Sequence, residues 1–257
     1  MKDLQLDPKT RRVPSASVAH SLLSYARNTQ HSIELCLQEK HPTFAPLLPE
    51  IEQLAAQYQQ RKKAANAMDF DDLLSNMVIL LEDPVIGATL AHSFKYVLVD
   101  EFQDTNALQA RIVKGFAKVH QNILVVGDDA QSIYAFRGAD VNNILSFPTQ
   151  WPEAKTFKLL NNYRSTPEIL EVANESLTHN EHQFEKELVG MSPSGKKPNV
   201  VPCSSATQEA QYVAEQVLAL QKEGKTLSQM AVLFRSSAHS QALEFELLKR
   251  DLPYEYR

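Results

Sequence analysis

Residues 94–139 read FKYVLVDEFQDTNALQARIVKGFAKVHQNILVVGDDAQSIYAFRGA. Two apolar runs rich in β-branched residues, 96–99 and 123–126, each stop at acids: Asp100 and Glu101 after the first, Asp128 and Asp129 after the second. Such runs predict strands of a parallel sheet buried on both faces. Between them, Leu108, Ile112, Val113 and Phe116 recur at helical spacing within 107–119. The unit is therefore strand, helix, strand, a βαβ crossover. In an open parallel sheet ligands gather beyond the carboxyl ends of the strands, and both acidic clusters fall there.

Four apolar residues followed by Asp-Glu is the Walker B arrangement, in which the aspartate helps to hold Mg²⁺ and the glutamate orients or polarises an attacking water. Each role needs an acceptor-only carboxylate at a fixed strand end. The same acids also suit the cap of a following helix, since Asp, Asn and Thr are good N-caps, and the short string alone leaves both readings open.

The longer context adds a resemblance. DEFQDTN at 100–106, GDDAQSIYAFRGAD at 127–140 and NNYRS at 161–165 resemble, in order and separation, the motifs of UvrD/Rep/PcrA-type superfamily 1 DNA helicases. The likeness continues through MDFDDL at 68–73, NNILSF at 142–147, STPEILEVAN at 165–174 and AVLFRSSAHSQALE at 231–244, and is weakest before about residue 55. It implies an α/β fold of RecA-like parallel-sheet domains. The parts would be a helical insertion at 1–67, part of a first RecA-like domain at 68–150 and part of a second at 151–257. It also implies ATP and Mg²⁺ as cofactors, single-stranded and duplex DNA as partners, 3′-to-5′ movement, and repair or replication proteins as further partners.

Roles carry over residue by residue. By resemblance, Asp100 holds Mg²⁺ through water, Glu101 contacts the metal and activates water, and Gln131 senses the γ-phosphate. Gln103 is a further nucleotide partner, a place equally served by a structural hydrogen bond. Tyr163 matches an adenine-stacking tyrosine and Arg164 an arginine finger, for which a carboxylate pair joining two domains is the alternative. Tyr134, Phe136 and Arg137 fall where the family meets DNA, Phe136 being the choice for base stacking, with ordinary core as the alternative for both rings. Arg235 lies in a motif of the second domain and is assigned to DNA. Asn161-Asn162 precede Tyr163, where a Gln-Asn pair is commoner in the family, a change that leaves these assignments intact.

A net charge of −5 excludes a uniformly basic nucleic-acid binder and leaves room for a local basic groove. The cysteines, Cys36 and Cys203, are far apart and suggest neither zinc nor a disulfide framework. No apolar run approaches the roughly 20 residues that span a bilayer, and MKDLQLDPKTRR has no signal-peptide core, so the expected location is cytoplasmic, with no membrane partner.

Along the chain, 1–15 reads as extended and 15–67 as helical, broken at His41-Pro42. Arg61, Lys62 and Lys63 suit a solvated helix face or nucleic-acid phosphate. The next helix, 68–81, presents Phe70, Leu73, Leu74, Met77, Val78, Leu80 and Leu81 as its buried face. Asp69, Asp71 and Asp72 at its start suit capping or a second metal site. Pro148 and Pro152 bracket a break at Trp151 that marks a domain boundary. Strands are expected at 156–160, 200–201 and 230–234, and helices at 166–178, 206–221 and 239–249.

An ATP hydrolase of this type also needs G-x-x-x-x-G-K-[ST], whose amides cradle phosphate. Residues 190–197, GMSPSGKK, come near, but Lys197 replaces the cation-binding hydroxyl, Pro193 removes an N–H and Pro198 blocks the helix start, so a surface loop is expected. By resemblance the true loop lies upstream of these motifs and the second nucleotide-contacting arginine downstream, which implies the middle of a helicase, inactive alone. A non-catalytic module binding single strands or a protein partner is the alternative.

Overall fold

In the computed structural model, which describes residues 13–256, several helices start at a short polar side chain that caps them. Ser15 caps α1 (Ala16–Thr29) by accepting the Val18 N–H, and Ser32 caps α2 (Ile33–Lys40) by accepting from Leu35. A 3₁₀ turn at Pro42–Leu47 then leads into α3 (Leu48–Ala64). The first helical stretch thus has an extra break at 30–32, where Gln30 takes the left-handed conformation without a Gly or Pro to announce it. Leu22, Ala26, Cys36, Leu37, Leu47 and Ile51 form the buried cluster joining these helices. The extended stretch expected at 1–15 falls almost wholly outside the described residues.

α4 (Phe70–Glu82) and α5 (Ile86–His92) follow. α4 packs on α6 (Ala107–Ala117) so closely that a Cβ on Gly115 would stand 2.9 Å from Leu81 Cβ. The expected buried face of α4 is only partly buried. Val78 and Leu81 are enclosed, whereas Phe70 is 88% exposed and Leu73 and Leu80 are also open. The apolar stripe is wider than the contact that neighbouring helices offer, so burial stops at its edge.

β1 (Val97–Val99) and β2 (Ile123–Val125) pair in parallel with Val97 opposite Ile123 and Val99 opposite Val125, α6 being the crossover. The expectation of strands buried on both faces is corrected here. Leu98 is 71% and Leu124 53% exposed, because α6 covers one face while the other stays open among the described residues.

A second crossover follows α7 (Asn142–Leu145) and α8 (Phe147–Gln150). β3 (Asn161–Asn162), α9 (Pro167–Leu177) and β4 (Val189–Gly190) again place two parallel strands about a helix. The strand expected at 156–160 is not one. The ladder opens at Leu160 O, which accepts from Val189 N at 2.8 Å, and the residues before it have no neighbour to pair with. Strand propensity supplies a fitting surface, but a strand exists only where a partner closes the hydrogen bonds.

The chain divides into two compact units, one ending at Pro193 and one beginning at Ser194. In the second unit α10 (Ala206–Lys222) packs on α11 (Ser237–Lys249) around Ala214, Leu247 and Leu252. The strands expected at 200–201 and 230–234 are likewise absent from its described residues, with Val200 and Leu233 almost fully exposed and unpaired. No single helix among the described residues is long and apolar enough to cross a membrane.

Candidate functional site

The two strand ends are joined by one buried side chain. Gln103, 1% exposed, donates through Nε2 to Glu101 Oε2 at 2.8 Å and accepts through Oε1 from the Asp128 N–H at 3.1 Å. Gly127 makes this approach possible, since a Cβ there would lie 2.3 Å from Gln103 Oε1. Of the two roles weighed for Gln103, these bonds favour the structural one, because both ends of its amide are committed inside the protein.

Asp100, just beyond β1, is exposed and accepts the Glu101 N–H through Oδ1 at 2.9 Å. Glu101 has φ 51° and ψ 41°, the left-handed region that L residues other than Asn and Asp rarely enter. Backbone strain of this kind persists only where the surroundings over-determine it. Here the Phe102 N–H bonds Val126 O at 3.0 Å and Gln103 holds the Glu101 carboxylate, so both sides of the turn are pinned. Beside them Asp104 is pushed above its ordinary value, first by burial and then by the Glu101 charge, and its Oδ1 is buried with no hydrogen-bond partner among the described residues.

At the end of β2, Gln131 closes a 3₁₀ turn at Asp129–Gln131 and donates from Nε2 to Asp128 Oδ2 at 2.7 Å. Asp128 and Asp129 share Lys186, whose Nζ stands 2.5 Å from Asp128 Oδ1 and 2.6 Å from Asp129 Oδ1. Burial pushes Asp128 up, but the Lys186 ammonium and the Gln131 amide outweigh it and hold the carboxyl below its usual value. Burial likewise pulls Lys186 down, and its two aspartates return it above the ordinary lysine value.

The chain then turns through Tyr134, Phe136 and Arg137. The two rings lie 6.1 Å apart, with the Arg137 guanidinium 5.0 Å from the Tyr134 centroid and 5.3 Å from that of Phe136. Phe136 is 63% exposed and Tyr134 is also open, so neither ring is core. Gly138, at φ 90°, ends this turn. Ala139 pairs with Asn106, and the Asp140 N–H bonds Thr105 O at 3.0 Å, fastening the aromatic turn to the loop after β1.

Tyr163 and Arg164 follow β3 directly, and both are exposed. Asn162 Oδ1 accepts the N–H groups of Arg164 at 3.0 Å and Ser165 at 2.9 Å, which shapes the step that presents them. Arg164 pairs with no carboxylate among the described residues. Arg235, in the second unit, is exposed just before α11. The loop at 190–197 is not a phosphate cradle: Gly190 belongs to β4, and no helix begins until α10. A two-residue strand runs into it, and its place beside β3 is set by backbone bonds rather than apolar character.

The acidic start of α4 is a capping box, Asp69 accepting from Asp72 N and Asp72 from Asp69 N. Lys62 is turned inward between the two carboxylates at 2.6 and 2.7 Å, so this member of the basic run is neither solvated nor free for phosphate, while Arg61 and Lys63 are exposed.

The UvrD/REP helicase N-terminal domain matches residues 2–152, and the UvrD-like helicase C-terminal domain matches residues 157–256. The chain belongs to the UvrD/REP helicase family. Relatives include the ATP-dependent DNA helicase PcrA of Staphylococcus epidermidis, 42% identical over 198 residues, and that of Staphylococcus aureus, 40% identical over 198 residues. Each alignment covers 77% of this chain and 27% of the relative, so this UvrD/REP chain spans about a quarter of the length of the curated relatives it matches.

Several residues that organise this UvrD/REP site escaped sequence reasoning. Lys186 lies in a polar stretch with no periodicity to single it out. Asn28 bonds both Asp71 at 2.7 Å and Asn106 at 2.9 Å, across separations that no local pattern exposes. The Asn106–Gln109 capping box was legible as an N-cap followed three residues on by Gln.

Proposed function

We propose that this chain contributes the water-activating end of the nucleotide cleft, and part of the single-strand path, to an ATP-dependent 3′-to-5′ DNA helicase. In this reading the parts are an insertion at 1–67, helical in its described residues, part of a first RecA-like domain at 68–150 and part of a second at 151–257; the change of family match between 152 and 157 supports the last boundary, whereas the compact units divide later, after Pro193. A cytoplasmic location and repair or replication partners belong to the same reading.

The observation that carries it is the Gln103 bridge. One amide ties the carboxylate after β1 to the backbone after β2, so the acid pair and the Gln131 loop keep a fixed relation at adjacent strand ends. Ligands of parallel sheets bind there. The residues also fit a hydrated divalent cation, because Mg²⁺ takes one or two carboxylates and keeps phosphate and water as its other ligands. Asp100 accepts one hydrogen bond on Oδ1 at the exposed strand end, and Asp104, four residues on in sequence, has a buried Oδ1 with no hydrogen-bond partner among the described residues. When bound, Mg²⁺ offsets charge on the nucleotide phosphates.

Glu101 then accepts a proton from the attacking water, and Gln131 uses its second amide hydrogen and its carbonyl to read phosphate and water together. Arg164, as a permanent cation, balances charge on the transferred group, and Tyr163 offers a flat face to the base. Phe136 and Tyr134 offer faces to single-stranded bases, with Arg137 for the backbone.

The test exchanges the matched segment of the Staphylococcus epidermidis relative for this one. The chimera is expected to hydrolyse ATP in response to single-stranded DNA, and Glu101→Gln to lower turnover by about 10²- to 10⁴-fold, the usual worth of a general base. Undiminished turnover in the Gln variant would remove Glu101 from the role.

A further inference from the structure

Lys186 is 13% exposed, belongs to no assigned motif, and bridges two aspartates at the end of β2. Its own segment is tightly held. The Asp129 carboxylate also accepts the Phe184 N–H at 3.1 Å, and Asn174 of α9 grips Leu188 from both sides, donating to its carbonyl at 3.0 Å and accepting its N–H at 3.1 Å. At the next residue the segment becomes β4, which pairs with β3, and β3 runs straight into Tyr163 and Arg164.

On its other side, Asp128 accepts from Lys186 on Oδ1 and from Gln131 on Oδ2, while its backbone N–H is bound by Gln103, which in turn holds Glu101. A continuous set of contacts therefore runs from the strand pair that carries Arg164, through Lys186 and Asp128, to Gln131 and Glu101. Few ion pairs are worth much at a surface, but a mostly buried lysine shared by two carboxylates loses heavily if one side is removed.

We propose that Lys186 is a positioning residue for Gln131, acting through Asp128, and that it locks the β3–β4 pair bearing Tyr163 and Arg164 to the Gln131 loop. The proposal rests on the reading of Gln131 as the amide that meets phosphate. Lys186 itself touches no reacting atom. It fixes the rotamer of the Asp128 carboxylate, and the second oxygen of that carboxylate fixes where the Gln131 amide points.

The experiment uses the whole chain without nucleotide. In Lys186→Met, the side-chain amide resonances of Gln131 are expected to move and the Gln131 backbone N–H, bonded to Asp128 O, to exchange with solvent on the order of tenfold faster, as local opening requires. Lys186→Arg, which can still bridge two carboxylates, should restore both. A lysine that merely staples its own segment would disturb 184–188 and leave Gln131 unmoved, and that result overturns the proposal. Should Lys186→Met not fold, acetylation of the unmodified chain decides. Lys186 should react on the order of tenfold more slowly than exposed Lys225, and equal rates overturn the ion-pair geometry. Neither measurement involves nucleotide, so its failure is separate from failure of the chimera test.

Discussion

The side-chain carbonyl of Gln103 accepts the Asp128 backbone N–H at 3.1 Å, across 25 residues of sequence. This bond closes the gap that the β1–β2 ladder leaves at its carboxyl end, where the chain turns away on both sides. Removing it strands a part-buried N–H and frees the Glu101 carboxylate at once. Gln103→Ala is expected to cost about 1–3 kcal/mol, the usual penalty for an unsatisfied buried group. Gly127→Ala should cost a similar amount, because its Cβ would occupy the place of Gln103 Oε1. Urea unfolding checks both, and additive losses in the double variant would show that the two changes do not act on one contact.

A second expectation concerns acid. Burial raises Asp69, but hydrogen bonds from Lys62, the Asp72 N–H and Tyr58 prevail and bring it from 3.8 to about 2. A carboxyl depressed on folding contributes stability that is full above its unfolded value and disappears as pH falls through the folded one. The contribution is up to about 2 kcal/mol. Asp69→Asn should therefore be less stable than the parent at pH 6, with the difference shrinking between pH 4 and pH 2. A difference that does not vary with pH in unfolding measurements would contradict the ion pairing of Asp69 with Lys62.

The βαβ unit was legible because its helix and strands have different periods and its strands end abruptly in acid. Ala107–Ala117 and the β1–β2 pair sit within two residues of where the pattern puts them. Strands at 156–160, 200–201 and 230–234 were not, since apolar character says what could face a sheet and nothing about whether a neighbour is there to bond. The long-range polar contacts were also hidden. Lys62, Asn28 and Lys186 look like ordinary surface residues in sequence, and only the fold brings each to a carboxylate. Gln103 was recognised as polar and placed, but its burial follows from the close packing at Gly127, which no local spacing reveals.

Single-strand binding offers a cleaner separation of function from stability. Phe136 is largely exposed and its ring sits over Arg137, so Phe136→Ala leaves the core intact. Loss of one stacking face should weaken binding to a thymidine oligonucleotide by about 1–3 kcal/mol, roughly 5- to 150-fold, with the melting temperature unchanged. Fluorescence anisotropy at fixed salt reads the first and calorimetry the second. Equal affinity in both proteins would take Phe136 out of the DNA path.

Turnover by the 257-residue chain alone should be small. Its near match to a phosphate loop is interrupted by Pro193, runs through β4 at Gly190 and is followed by no helix N-terminus until Ala206. Amides that wrap phosphate in motor enzymes are not assembled there. With Mg·ATP and single-stranded DNA, the expected rate is at least about a hundredfold below an ordinary enzyme's 10 per second. Robust DNA-stimulated hydrolysis would mean that another part of the chain cradles the phosphates.

The strained backbone at Glu101 gives a test in which chemistry and conformation come apart. Glu101→Ala and Glu101→Gly both delete the carboxylate and its bond to Gln103, so they lose the same interactions. They differ in one atom, a Cβ held at φ 51° in Ala and absent in Gly. A Cβ in that region costs about 1–2 kcal/mol, offset in part by the greater freedom of glycine when unfolded. The Gly variant should therefore be more stable than the Ala variant by about 1 kcal/mol in urea unfolding, while both abolish water activation equally in the chimera. If Ala proves as stable as Gly, the left-handed turn relaxes once its carboxylate is gone, and Gln103 rather than the strand geometry is what imposes it.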